Sequence, residues 1–206
     1  DQCGTTRSPR QLLNRAIHAE VTVTPEDWFD WAMAPRADGE PNIVSEITSF
    51  IRFKPSLLHD STDTKARAFP SLRSWHMLSD LLRANDDDSL LQPLAMGSVG
   101  DGAGTEFVGY LRVYKDLPST AEIFANPETA PVPEGVSARF ALLGSLANAV
   151  TGKHMDSLMT YIARVEGDFQ VLCMKDVARR DIKLLRASPR ALKWHTENMD
   201  LLNKVR

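Results

Sequence analysis

Several things are scarce in this chain of 206 residues, and each absence removes a class of protein. There are two cysteines, Cys3 and Cys173. Thiols so far apart make neither a disulfide framework nor a zinc site, and they point to a reducing compartment such as the cytoplasm. No apolar run approaches the ~18 residues that cross a membrane. There is no excess of positive charge: 24 lysines and arginines face 27 acids, a net charge of −3. A dedicated nucleic-acid binder carries a basic face instead. None of the five histidines, His18, His59, His76, His154 and His195, has another at i+4, so no helical metal motif is present. His59 and Asp60 lie near Ser56 and Ser61, but no nucleophile-elbow sequence surrounds them, which argues against a self-contained hydrolase. The N-terminus has neither an initiator methionine nor the apolar core of a signal peptide, and the chain reads as a fragment or a processed product.

What is present is ordinary globular material, with 43% hydrophobic and 25% charged residues, enough for one large or two small domains with a real core. The stretch with the clearest local signal is Phe69 to Leu82. Ser71 is a good helix N-cap, and Pro70 holds the chain out of the helix until that point. Trp75, Leu78 and Leu82 follow at i, i+3 and i+7, one apolar stripe. Arg73 sits in the first turn, where the helix dipole already supplies positive charge. A cation and a helix N-terminus pointing the same way form an anion site, whereas the ordinary reading of Arg73 is a surface arginine.

Taken in order, residues 8–18 read as a short helical turn opened by Ser8-Pro9. Ala19 to Thr24 alternates and is β-branched, and it reads as a strand. It is the one strand pattern found, and it needs partners that the rest of the sequence does not offer. From Thr24-Pro25-Glu26-Asp27 onward the punctuation is helical. The first helix would turn Trp28, Trp31 and Ala32 inward. Asn42 to Phe53 forms the second, with Ile43, Ile47, Phe50 and Ile51 on one face. Asp86 to Asp88 read as a solvated cap after the Ser71 helix, not as a metal site. Residues 89–96 read as a short apolar helix and Thr105 to Leu117 as a long amphipathic one. The glycines of 97–104 lie between them as a tight junction, since no Gly-Lys-Ser/Thr follows and no strand precedes, as a phosphate loop requires. Pro127, Pro131 and Pro133 mark an extended linker. Three helices follow, over 137–150, 154–165 and 168–180, and a last one starts at Ser188-Pro189.

Two arginines carry what chemistry remains, and around them the sequence resembles a known family. Ser8-Pro-Arg-Gln-Leu-Leu-Asn-Arg15-Ala-Ile-His-Ala-Glu-Val is similar to the end of the core domain of MoxR-like AAA+ ATPases. Phe69-Pro-Ser-Leu-Arg73-Ser-Trp75 resembles the lid motif of that family, with Leu72 where a proline is common. Residues 47–60 and 106–114 also resemble lid segments. The likeness covers most of residues 5–130. It implies that Arg15 is the arginine finger, reaching the γ-phosphate bound by a neighbouring subunit, and that Arg73 is the sensor-2 arginine, touching nucleotide held by its own subunit. It further implies ATP and magnesium as cofactors, a homo-oligomeric ring, and a partner protein to be remodelled.

The resulting expectation is a mainly α fold: a helical lid-type bundle with a short remnant of an α/β core, one strand, at the N-terminus. Residues 1–24 would be the core remnant, 25–125 the lid, 126–136 a proline-rich linker and 137–206 an appended helical segment. Without a phosphate loop, this chain alone should not hydrolyse ATP. Two further readings stay open: a free-standing helical interaction module without enzymatic activity, and a nucleic-acid-associated helical domain.

Overall fold

The computed structural model describes residues 11, 14–19, 24–63 and 66–200. Residues 20–23, the body of the expected strand from Ala19 to Thr24, and residues 8–10, 12 and 13 of the expected helical turn over 8–18 lie outside that set. Among the described residues the fold is mainly helical, and the one β-type contact is an isolated bridge between Pro35 and Pro41. Ten α-helices follow Thr24: α1 (Pro25–Met33), α2 (Ser45–Phe53), α3 (Leu72–Ala84), α4 (Leu91–Val99), α5 (Asp101–Lys115), α6 (Thr120–Ala125), α7 (Val136–Ala149), α8 (Met155–Ile162), α9 (Gly167–Arg180) and α10 (Pro189–Glu197). Short 3-10 turns at Pro55–Leu57, Asp88–Leu90, Gly152–His154 and Ile182–Ala187 link some of them.

Helix α1 starts where the sequence says it should. The Thr24 hydroxyl accepts from the Asp27 N–H at 3.2 Å, and the Asp27 carboxylate accepts from the Thr24 N–H at 2.8 Å. This reciprocal box satisfies two otherwise orphaned donors. Trp28, Phe29, Ala32 and Met33 are buried. Trp31, expected to point inward, is 42% exposed. The pairs 28/32 and 29/33 form the buried stripe at helical spacing, and Trp31 falls on its border, edge-on to His76 at 5.2 Å.

Two apolar clusters form the interior. The first joins α1 to α5 around Phe50, Trp75, Leu78 and Phe107. The second joins α6 to α10 around Leu146, Met155, Tyr161 and Met174. Helix α7 serves both: Ala141 belongs to the first cluster, and Leu142, Leu143 and Leu146 to the second. It crosses α2 closely, since a Cβ on Gly144 would lie 2.8 Å from the Ser49 Cβ.

The proline-rich stretch is held down. The carbonyls of Pro127, Pro131 and Pro133 accept from Arg164 at 2.9 Å, Tyr161 at 2.7 Å and Arg139 at 2.7 Å, and Ala130 is buried in the second cluster. Proline removes a backbone donor but leaves its acceptor, and here long side chains meet that need. The glycine-rich stretch also differs from expectation in detail. Most of it lies inside α4 and α5, and Gly100 alone stands between them, with φ at 87°. The close approach is at Gly104, where a Cβ would sit 2.6 Å from the Met96 backbone nitrogen.

A charged network spans the two clusters. Arg52 of α2 donates to Asp176 of α9 at 2.8 Å, and its guanidinium lies 3.6 Å from the Phe29 ring centroid. Arg179 donates to Glu26 and, at 2.6 Å, to Asp30 of α1. Lys175 lies 3.1 Å from Glu26. Burial alone would push the Glu26 carboxyl up. The Arg179 hydrogen bond and the charges of Arg52 and Arg179 outweigh that, and its pKa lies below the ordinary value. Arg180 donates to the carbonyls of Ala147, Asn148 and Val150, closing the C-terminus of α7.

Two expectations follow for stability. Gly104→Ala should cost about 1–3 kcal/mol, because α4 backbone would have to move. Gly109→Ala, in the same helix with nothing within 4 Å of the new Cβ, should stabilise by about 0.4–1 kcal/mol. Urea melts of the two variants check this contrast. Glu26→Gln should cost about 2 kcal/mol at neutral pH, less than the 3–5 of a fully buried pair. Because the folded pKa of Glu26 is depressed, the unfolded chain holds more protons just below the unfolded pKa of about 4.3, and stability falls with pH through that window. Glu26→Gln should make that acid limb shallower. It should not abolish it, since hydrogen bonds from Thr24 and Thr62 also hold Asp27 and Asp60 low. An unaltered slope in denaturation scans from neutral to acid pH would refute this role for Glu26.

Candidate functional site

The start of α3 is the most firmly built local feature near a candidate ligand residue. Ser71 caps the helix. Its hydroxyl accepts from the Ser74 N–H at 3.1 Å, and the Ser74 hydroxyl accepts from the Ser71 N–H at 2.8 Å. Ser74 also donates to the Phe69 carbonyl at 3.0 Å. The expected stripe is present: Trp75 and Leu78 are fully buried, and Leu82 packs against the first cluster. Trp75 lies 5.7 Å from both Phe50 and Phe107, and its indole N–H donates to the Leu57 carbonyl at 2.8 Å. The Asp60 N–H donates to the Pro70 carbonyl at 3.0 Å. The loop before the helix is thus tied to it from both sides.

Arg73 leaves this fixed base into solvent. It is exposed and makes no hydrogen bond or ion pair among the described residues. Met77 is 54% and Leu81 37% exposed. With Arg73 they are spaced i, i+4, i+8, so all three share one stripe on the outer side of α3. His76 lies beside it, 3.7 Å from Asp80 and against Trp31. Arg15 is in an exposed turn at residues 14–16. No contact among the described residues joins the two arginines.

A groove of about 980 Å³ lies next to this helix start but not on Arg73. Residues from 57–63 and 66–70 form one wall, and the end of α4 with the start of α5 forms the other. Its charged lining is Asp60, Asp63, Arg67, Asp101 and Glu106. Lys54 lies 2.9 Å from Glu106, so carboxylates outnumber cations among the described lining residues by less than the lining alone suggests. The remaining acidic excess disfavours a phosphate, and the anion reading stays with Arg73. The sequence signals for this groove were the His59-Asp60 step and the glycine run. Neither indicates a groove until the loop and α5 are brought together.

Other chemistry is sparse. Among the described residues no group of three or more His, Cys, Asp or Glu could hold a metal ion, and no helix is long and apolar enough to cross a membrane. Cys173 is buried, and desolvation pushes its thiol up, away from the nucleophilic thiolate. Comparison of the chain with protein-family models, curated proteins and solved structures found no match.

The anchoring of α3 can be measured. Trp75→Phe keeps an aromatic ring against Phe50 and Phe107 but removes the donor to Leu57 and part of the volume. It should cost about 1–3 kcal/mol and loosen the loop before Ser71. Faster amide exchange in residues 57–62 and 66–70 checks the second effect, and unchanged exchange there would show that the indole bond does not hold the loop.

Proposed function

We propose that this chain is the lid and inter-subunit portion of a MoxR-like AAA+ ATPase, which couples ATP hydrolysis to chaperone-like remodelling of a partner protein in a homo-oligomeric, cytoplasmic ring. The observation that carries the reading is Arg73. A guanidinium in the first turn of a helix is unfavourable by about 0.3–1 kcal/mol, and no carboxylate among the described residues compensates it. A phosphate group supplied from outside reverses that sign, and a planar guanidinium fork matches phosphate oxygens. The capping box and the Trp75 anchor hold the base of the side chain still, as positioning requires. The exposed stripe of Met77 and Leu81 beside Arg73 fits a face that another body covers. Arg15, exposed in its own turn, is free to reach a neighbouring subunit.

The two arginines fit the phosphate part of ATP, and among the described residues no group of acids, histidines or cysteines could hold magnesium. No step through the metal is assigned to them. The role of this chain in the reaction is to bind and orient phosphate through Arg73, and to complete a neighbour's site through Arg15. The alternative is a helical interaction module without enzymatic activity. The exposed Trp31, Met77 and Leu81 would serve it equally, and a stable protein complex formed without nucleotide would favour it.

The purified chain should show no ATP turnover and should bind ATP weakly at best. Joined to a core that carries a phosphate loop, the two arginines should separate. Arg73→Ala should weaken nucleotide binding about 10–100-fold, the worth of one charge-assisted hydrogen bond. Arg15→Ala should leave affinity nearly intact and slow turnover by about 10³–10⁵. Subunits with Arg15→Ala mixed with subunits lacking the phosphate-loop lysine should regain activity, and the same mixture with Arg73→Ala should not. Equal loss of affinity in both variants, with no rescue in either mixture, would overturn the reading.

A further inference from the structure

Charge is unevenly spread along this chain. Residues 1–150 hold 13 lysines and arginines against 20 acids, a net of −7, and residues 151–206 hold 11 against 7, a net of +4. Part of the positive charge is consumed internally, since Lys175 and Arg179 face Glu26, and Arg180 closes α7. Five of the others lie on the surface of the second cluster. Lys153, Lys183, Arg186, Arg190 and Lys193 are all exposed.

The fold gathers these cations. Lys183 and Arg186 are three apart in a 3-10 turn, where side chains at i and i+3 eclipse. A Cβ on Gly152 would lie 3.2 Å from the Ala187 Cβ, so Lys153 stands next to the same turn as Arg186. Arg190 reaches across to the Thr160 hydroxyl at 3.0 Å. The local acids do not neutralise the face. Asp156 accepts from the Ser188 hydroxyl, Asp181 accepts from the Lys183 N–H, and Glu197 lies 3.7 Å from Lys193. Lys153, Lys183 and Arg186 have no carboxylate within ion-pair distance among the described residues. Between the cations two aliphatic side chains are open to solvent, Ile182 at 52% and Leu192 at 47%.

The opposite arrangement exists on the first cluster. Asp86, Asp87 and Asp88 are exposed in the loop after α3 and precede Leu90, itself 45% exposed. One cation, Lys115, answers Asp88 at 2.6 Å. Each face thus has an excess of charge of one sign beside an exposed aliphatic group.

We propose that the basic face around Lys183 and Arg186 docks against the Asp86–Asp88 loop of a second copy of this chain, head to tail. Complementary potentials steer such an encounter and fix its register. A nucleic acid fits less well, because the acidic first 150 residues repel phosphate and Ile182 and Leu192 have no counterpart in a sugar-phosphate backbone. The contact is heterologous: each copy keeps one basic and one acidic face to offer, so association continues until a ring closes or a filament extends. The inference does not depend on the nucleotide reading of Arg73.

Sedimentation velocity of the whole chain tests it. Self-association should appear at low salt and weaken about tenfold on raising the salt, as screening of exposed charges requires. Lys183→Glu with Arg186→Glu should abolish it, as should Asp86→Lys with Asp88→Lys. An equimolar mixture of these two variants should associate again, because an intact basic face meets an intact acidic loop. Lys183→Ala with Arg186→Ala, checked for unchanged circular dichroism, covers the case in which a reversed charge disturbs folding; it should weaken association in the same sense. A wild-type chain that stays monomeric at low salt, association indifferent to these substitutions, or a mixture that fails to recover would each overturn the proposal. Tight binding of random-sequence duplex DNA by a monomeric chain would assign the basic face to nucleic acid instead.

Discussion

The arrangement of the helices depends most on the charged clasp between α1, α2 and α9. Three cations, Arg52, Lys175 and Arg179, meet three acids, Glu26, Asp30 and Asp176. Arg52, Arg179 and Asp176 each keep less than a tenth of their side-chain surface. Desolvating such groups is costly, and only the full set of partners repays it. A structure in which α9 shifted along α1 would leave buried charges facing apolar side chains. The clasp therefore contributes register more than net stability: apolar faces tolerate sliding, and a network of this kind does not. The Phe29 ring beneath Arg52 narrows the choice further, since a guanidinium over an aromatic face is favourable only in close approach.

Much of the helical pattern was legible in the sequence because its signals are local. Thr24-Pro25 and Ser71 mark their helix starts through hydrogen bonds that reach three residues. The stripes of α3 and α8 follow from periodicity alone, with Trp75, Leu78, Met155, Leu158, Met159 and Ile162 all buried as spaced. What was not legible is non-local. The clasp joins positions 26, 52, 176 and 179, and no spacing rule connects them. Trp31 looked internal because tryptophan usually is, but its place at the edge of the stripe left it half outside. Helix α6, six residues long between Ser119 and Asn126, is too short for a periodic signal and was hidden beside a proline-rich stretch.

The same division holds for the candidate site. The helix start carrying Arg73 could be read from Phe69 to Leu82, and the structure adds its anchoring by Leu57, Phe50 and Phe107. The acidic groove next to it could not be read, since its walls come from residues within 57–63, 66–70 and 96–106. That groove also restricts the chemistry. The acidic excess of the described groove lining, Asp60 and Asp101 foremost, disfavours an anion on that side, so the favourable approach to Arg73 is along the outer stripe with Met77 and Leu81.

The double duty of α7 has a consequence for synthesis on the ribosome. The buried members of the first apolar cluster are complete in sequence by Leu111 except for Ala141, and the face of α2 around Ser49 is closed by Gly144. Until the chain has been extended through Ala149, that face has no cover. At elongation rates of about 5–20 residues per second, the 38 residues from Leu111 to Ala149 take roughly 2–8 s. During that interval α2 stands in a nascent bundle with an open side, long compared with the microseconds in which helices form. The buried hydroxyls of Thr48 and Ser49 lie on this helix, each bonded to the Ser45 carbonyl. They make the waiting surface less sticky than an all-aliphatic one, which matters for a helix that must stay uncovered until a later one arrives.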